Sequence, residues 1–292
     1  MREMSHQHNG SPCFPIMVKV WAGLERHDFR YIRRSLPSLL SSDLPAEARV
    51  IFVNDRSLDP RIEGYLADLA RRHAFVEVWT NPERLGPNKG QEYNVPRVLA
   101  RFPDAPYLVL CDDDIIYHPG WLQRLIQVYQ DARAAGMRGV FTALNVPFRA
   151  SYASLRLPTS EVLLKERQAA LNWLLPREVY DAVGPFRDTG IAYDTEYCNR
   201  LAALGIPVIC MKPSYVQNIG YHGAYQNGDF FTARDYVGRR DAYLVARDLW
   251  YGVKRQTVGR LRDYSEKMPD GKLKRAGLRL YRGMRSLVTG SR

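Results

Sequence analysis

The sequence predicts an α/β protein with a mainly parallel central sheet flanked by helices and a helical extension at its C-terminal end. Three observations predict it. Apolar, β-branched runs recur through the first 215 residues, segments of helical periodicity separate them, and 292 residues, 46% of them hydrophobic, suffice to bury a full core. The expected division is a domain over residues 1–235 and a basic helical extension over 236–292.

Strands are expected at Ile16–Ala22 (IMVKVWA), Arg49–Val53 (RVIFV), Phe75–Trp79 (FVEVW), Tyr107–Leu110 (YLVL) and Gly139–Leu144 (GVFTAL). Near-continuous apolar runs of this kind suit strands buried on both faces of a parallel sheet. Helices fit Asp28–Leu40, Pro60–His73, Gly90–Arg101 and Pro119–Ala134. Pro37 and Pro96 are expected to kink or shorten two of these, because proline removes a backbone donor and crowds the preceding turn. Asp59-Pro60 reads as a cap followed by proline at the first helical position.

In such sheets functional groups collect beyond the carboxyl ends of the strands. The second strand runs into Asn54-Asp55-Arg56-Ser57, and the third into Asn81–Gly90, with Arg84, Asn88 and Lys89 beside glycines. The fourth runs into Asp112-Asp113-Asp114. Any one of these has the composition of an ordinary turn. Three in step point to a site.

Three successive carboxylates repel one another and lose hydration near a core. A divalent cation resolves that cost, and Mg²⁺ and Mn²⁺ are often held by one or two carboxylates together with substrate phosphates. Along an extended segment Asp112 and Asp114 share one face and Asp113 takes the other. A solvated loop leading to the helix at Pro119 is the plain alternative. A phosphatase of the haloacid dehalogenase type fits poorly, because Ile116 stands where that motif has Thr or Val and three strands precede it.

The succession VIFVNDRS, a Gly- and Asn-containing loop, YLVLCDDDI, PREVYDAVGPF and IAYDTEYCNRLAALG resembles a GT-A-fold glycosyltransferase, closest to family 2, over roughly Ile16 to Gly223. The resemblance implies that Asp55 meets the nucleotide base, and that Asp112 and Asp114 bind the metal and the ribose or diphosphate, with Asp113 beside them. It also implies a catalytic base in Tyr193-Asp194-Thr195-Glu196, where Asp194 holds the aspartate's place and Glu196 is the second candidate. Asp194 also reads as the N-cap of a helix Thr195–Leu204 ended by Gly205. Arg84 and Lys89 are expected near the diphosphate, and Lys89-Gly90 with Asn94 resembles a step common in the family. His222 is a further metal candidate, since imidazole suits Mn²⁺ better than Mg²⁺. Two places depart from the pattern: Trp21-Ala22-Gly23-Leu24 stands for Pro-x-Tyr-Asn, and Tyr193 for Glu.

What the resemblance implies is a Mn²⁺- or Mg²⁺-dependent inverting transfer from a nucleoside diphosphate sugar to a hydroxyl on a carbohydrate or lipid-linked acceptor. The alternatives are a sugar nucleotidyltransferase, whose basic Gly-rich loop after the first strand is absent here, and a degenerate binding domain, encouraged by Tyr193. The segment from Pro147 to Trp173, with Arg149, Tyr152, Arg156, Lys165 and Trp173, reads as a lid or acceptor wall.

The charge of +11 belongs to the end of the chain, where residues 251–292 hold 12 Lys and Arg against 3 Asp and Glu. From Lys272 to Val288 the pattern is a basic amphipathic helix, suited either to packing on the domain or to lying on an anionic membrane. No nucleic acid partner is expected, because no recognised module accompanies the charge. The four cysteines lack zinc-type spacing and read as reduced, mostly buried thiols. No run approaches the roughly 18 apolar residues of a membrane span, and the polar first ten residues lack a signal-peptide core. A cytoplasmic address, peripheral to the membrane through the tail, is the expectation.

Overall fold

The computed structural model of the chain describes residues 12–24, 26–146, 150–220 and 232–239. β1 (Phe14–Val20) leads to α1 (Arg26–Leu40), β2 (Ala48–Asn54) to α2 (Arg61–Arg72), and β3 (Val76–Thr80) to α3 (Gly86–Arg101). β4 (Tyr107–Asp112) passes through the short β5 (Ile115–Tyr117) to α4 (Trp121–Ala134). Next come β6 (Val140–Thr142), β7 (Ala153–Arg156), β8 (Glu161–Lys165) and β9 (Asn172–Pro176). They are followed by α5 (Arg177–Val183), α6 (Tyr193–Ala203), β10 (Val208–Lys212) and β11 (Val216–Asn218).

Among the described residues nine strands form the main sheet in the order β3-β2-β1-β4-β9-β6-β10-β8-β7, while β11 pairs antiparallel with β5. β3, β2, β1 and β4 are parallel neighbours, as are β6 and β10; β8 and β9 run against the rest. The expected α/β class with a mainly parallel sheet is therefore present.

Strand alternation sorts the apolar residues into two cores. Ile16 and Val18 of β1, Val50 and Phe52 of β2, and Val109 of β4 pack with Ile32, Leu36, Ile62, Leu66 and Trp121 of α1, α2 and α4. Met17, Ile51, Val53, Leu108 and Leu110 face the other way, onto Val95, Val98, Val179, Tyr197 and Leu201 of α3, α5 and α6. Lys19 follows Met17 in the alternation and so falls on the α3–α6 face. That placement brings a cation under the site.

Several local expectations change. Pro37 and Pro96 lie inside α1 and α3 and shorten neither helix. α3 starts at Gly86, four residues before Gly90, because Pro87 suits a first helical turn and Gly86 supplies a positive φ of 73°. Pro60 takes the N-cap position ahead of α2, one place later than expected for the cap, while the Asp59 carboxylate accepts the Arg61 N–H at 2.9 Å. α6 begins with Tyr193, so Ala192 holds the N-cap position expected for Asp194, while Gly205 ends the segment with φ 67° as expected. In the stretch read as a lid or wall, Trp173 and Lys165 are core residues, whereas Tyr152 and Arg156 are exposed. Arg149 lies outside the described residues. Cys111, Cys198 and Cys210 are buried and outside any disulfide, and Cys13 is exposed.

Candidate active site

The parallel strands β1, β2 and β4 deliver their carboxyl ends to one edge of the sheet, and the acidic triplet sits there. β4 ends at Asp112, so Asp113 and Asp114 form a turn into β5 and do not continue the alternation expected of an extended segment. Each carboxylate consequently takes its own direction. Asp112 faces Lys19 Nζ at 3.5 Å. Asp113 accepts the Trp21 amide at 2.8 Å. Asp114 accepts Asn218 Nδ2 at 3.0 Å. Gly220 lies so close to Asp114 that a Cβ there would overlap its carboxylate at 1.7 Å, so this approach needs glycine.

Loss of hydration is the main force on these acids. It raises all three above the ordinary carboxylate range, with mutual repulsion adding to it at Asp113 and Asp114. Asp114 is pushed up to about 7 by burial first and by the charge of Asp112 second. Burial also opposes the Lys19 ammonium, but Tyr193, Asp112 and Asp113 more than offset it and hold the group above its ordinary value. Lys19 Nζ lies 3.5 Å from the Tyr193 hydroxyl and 4.6 Å from the centre of its ring. Tyr193, the departure from the family pattern, thus packs over a half-buried lysine.

Asp55 is fully engaged with the loop after β3. It accepts from Asn81 Nδ2 at 2.8 Å and from the N–H groups of Leu85 and Gly86 at 2.9 and 2.8 Å. In effect β2 caps α3. Arg84 lies over the Trp21 ring at 4.1 Å, which fixes the loop above β1. Asn88 donates to Asp188 and to the Ile191 carbonyl and accepts from the Tyr193 amide at 3.0 Å, tying the start of α3 to the start of α6. Arg84, Asn88, Lys89, Asp188 and Ala192 line a cavity of about 540 Å³ between the two loops.

Asp194 and Glu196, two positions apart, have different surroundings. Asp194 is partly exposed in the first turn of α6 and accepts its neighbour's amide at 2.6 Å. Its charge adds, after burial, to what raises the Asp112 carboxyl. Glu196 is buried and forms a two-pronged pair with Arg200, at 2.8 Å from both Nε and Nη2. Arg200 in turn donates to the carbonyls of Val183 and Pro185 at 2.7 and 2.9 Å, so this pair ties α6 to the linker after α5.

The donor set fits a hard divalent cation. Asp112 and Asp114 present oxygens that are only partly satisfied, and the repulsion between them is what a cation relieves. No cluster of three or more His, Cys, Asp or Glu that could hold a metal ion occurs among the described residues. His222 lies outside the described residues. Sequence reasoning missed Lys19, Asn218 and Gly220. A lone lysine in the apolar run IMVKV was the available signal for the first.

The structure resembles three solved glycosyltransferase structures at low identity. One is the mannosyltransferase PcManGT from Pyrobaculum calidifontis in complex with GDP-Man and Mn²⁺, with TM-score 0.52, 14% identity, and coverage of 97% of this chain and 77% of that one. S. aureus TarS 1-349 in complex with UDP-GlcNAc matches with TM-score 0.50, 14% identity, and coverage of 85% and 66%. GalNAc-T7 with UDP, GalNAc and Mn²⁺ matches with TM-score 0.52, 13% identity, and coverage of 93% and 54%. The chain thus spans between 54% and 77% of their lengths, and at these identities the likeness shows the GT-A fold. Curated protein sequences offer no match. Residues 26–186, more than half of the chain and inclusive of Asp55, Arg84, Lys89 and the acidic triplet, match the model of glycosyl transferase family 2. The chain belongs to that family.

Proposed function

We propose that this glycosyltransferase moves a sugar from a nucleoside diphosphate donor to a hydroxyl acceptor with inversion, and that Asp194 is its base. The observation that carries the reading is the contrast within α6. Asp194 is partly exposed and makes no ion pair among the described residues, whereas Glu196 is buried and spent on Arg200. Asp112 and Asp114 would hold Mn²⁺ or Mg²⁺, with Asp113 fixing the turn through Trp21. When bound, the ion would neutralise charge growing on the leaving diphosphate. Fold relatives in complex with GDP-Man and Mn²⁺, UDP-GlcNAc, and UDP with GalNAc and Mn²⁺ support the donor class and the metal.

The other roles follow from position. Asp55 shapes the loop that meets the nucleotide, and Arg84 and Lys89 present cations along the neighbouring cavity. Lys19 holds Asp112 in place. Asp194 accepts the acceptor hydroxyl proton as the anomeric carbon passes through an oxocarbenium-like state. A carbohydrate or lipid-linked acceptor, in polysaccharide or glycolipid synthesis, is the class we assign. The tail at Lys272–Val288, which lies outside the described residues, would bring the enzyme to a cytoplasmic membrane surface. The division into residues 1–235 and 236–292 is part of the same proposal.

Steady-state kinetics with a donor that the parent turns over tests the assignment. Asp194→Asn should lower kcat by about 10²- to 10⁴-fold with little change in donor binding, as expected for removal of a general base. Glu196→Gln should retain turnover and lose thermal stability. An active Asp194→Asn protein beside an inactive but folded Glu196→Gln protein would reverse the two roles.

A further inference from the structure

α1 turns one face to solvent, and that face is arginine. Phe29, Ile32, Ser35, Leu36 and Leu39 are buried, while Arg30, Arg33, Arg34 and Pro37 are exposed. These positions recur at the three- and four-residue spacing of one helical face. Arg61, at the start of α2, reaches in from the side. The four arginines and Phe29 line a depression of about 580 Å³.

The cluster is organised. Phe29 packs edge-on against Tyr65 with ring centres 5.6 Å apart, and the Arg61 and Arg33 guanidinium carbons lie 4.4 and 5.8 Å from the centre of the Phe29 ring. The Arg30 guanidinium carbon lies 5.8 Å from the Tyr31 ring centre. Asp59 fixes Arg61 through contacts of 2.8 and 3.1 Å, and so offsets one of the four charges. Neither Arg30 nor Arg33 pairs with a carboxylate among the described residues.

This depression is separate from the donor cleft. The buried side of α1 is pinned to β5, where Ser35 Oγ and Ser38 Oγ accept the amides of Ile115 and Tyr117 at 3.1 and 3.2 Å. The depression shares no lining residue with the acidic triplet or with the cavity at Arg84 and Lys89. Like charges gathered on one patch repel, and guanidinium groups match phosphate oxygens in both charge and forked geometry. We propose that Arg30, Arg33, Arg34 and Arg61 with Phe29 form a binding site for a phosphate group, distinct from the donor site. The phosphate comes either from a soluble phosphorylated compound or from an anionic lipid headgroup.

The test compares two triple variants of the full chain with equal charge change. Arg30→Gln/Arg33→Gln/Arg34→Gln removes the patch. Arg124→Gln/Arg133→Gln/Arg138→Gln removes exposed arginines from α4 and the turn after it. Each is measured with pyrophosphate by calorimetry in EDTA, and by sedimentation with phosphatidylglycerol–phosphatidylcholine vesicles. Binding of pyrophosphate by the parent that weakens at least tenfold in the first variant alone supports the site and a soluble source. Sedimentation lost in the first variant alone, without pyrophosphate binding, supports the site and a headgroup source. Equal weakening in both variants, or a parent that binds neither probe, overturns the proposal.

Discussion

Lys165 and the acidic triplet both bring charge toward the interior, and they are built in opposite ways. Lys165, 1% exposed, has three ammonium hydrogens and three acceptors: Asn145 Oδ1 at 2.7 Å, the Val146 carbonyl at 2.8 Å and Gln168 Oε1 at 3.4 Å. Gln168 is itself held by the Leu144 carbonyl, and Asn145 and Ser214 both bond Asp235. The acidic triplet has one lysine, one amide and one asparagine for three carboxylates. The first cluster is closed on itself and spends its polarity on joining loops. The second keeps unsatisfied charge at the mouth of a cleft. A satisfied buried network stabilises a fold, and an unsatisfied one is poised for a ligand.

Removing charge should therefore have opposite consequences at the two places. Lys165→Met keeps the length of the side chain but leaves three neutral acceptors facing an apolar group, at a cost of about 1–3 kcal/mol for each one left unsatisfied. Denaturant unfolding should show that loss. A change below about 1 kcal/mol would mean that the cage admits water in place of the ammonium.

Asp114→Asn should do the reverse. The new amide keeps an oxygen for Asn218 Nδ2 and relieves the repulsion from Asp112, so the melting temperature should hold or rise. Binding of a nucleoside diphosphate in Mn²⁺ should fall by more than the roughly 10- to 100-fold that losing an outer-shell partner costs a metal site. Calorimetry with UDP, GDP and dTDP measures it, and unchanged affinity would remove Asp114 from the cation site.

The contrast also separates what the sequence discloses from what it hides. β1 to β4 were legible because strands buried on both faces write long apolar runs, and their polar exits lined up Asp55 and the triplet at one sheet edge. β7, β8 and β9 were not: they are four or five residues long, and β7 is largely exposed, so they carry no run or alternation to read. Lys19 and Tyr193 meet across 174 positions, and only the fold brings them together. Lys165 looked like a cleft residue for the same reason, since its partners come from two separate loops. The engagement of Glu196 was readable, because Arg200 follows it at the four-residue spacing of a helical ion pair.

The smallest effect expected is also the most diagnostic of the cage. Burial lowers the Lys165 ammonium below its ordinary value of 10.5, with Cys210 and Asp235 working the other way. A base depressed in the folded state binds fewer protons there than in the unfolded chain, over the window between its folded value and 10.5. Through that window rising pH favours the folded state. The stability gap between the parent and Lys165→Met should therefore widen from neutral pH toward pH 10.5 and level off above it, since both states are then neutral. The comparison with Lys165→Met subtracts the other lysines and tyrosines, which titrate alike in both proteins. Denaturant midpoints at neutral and alkaline pH give the slope. A gap that narrows with pH would mean that the surrounding acceptors and Asp235 hold the charged form more strongly than burial opposes it, and the cage would then resemble an ion pair more than a hydrogen-bonded amine.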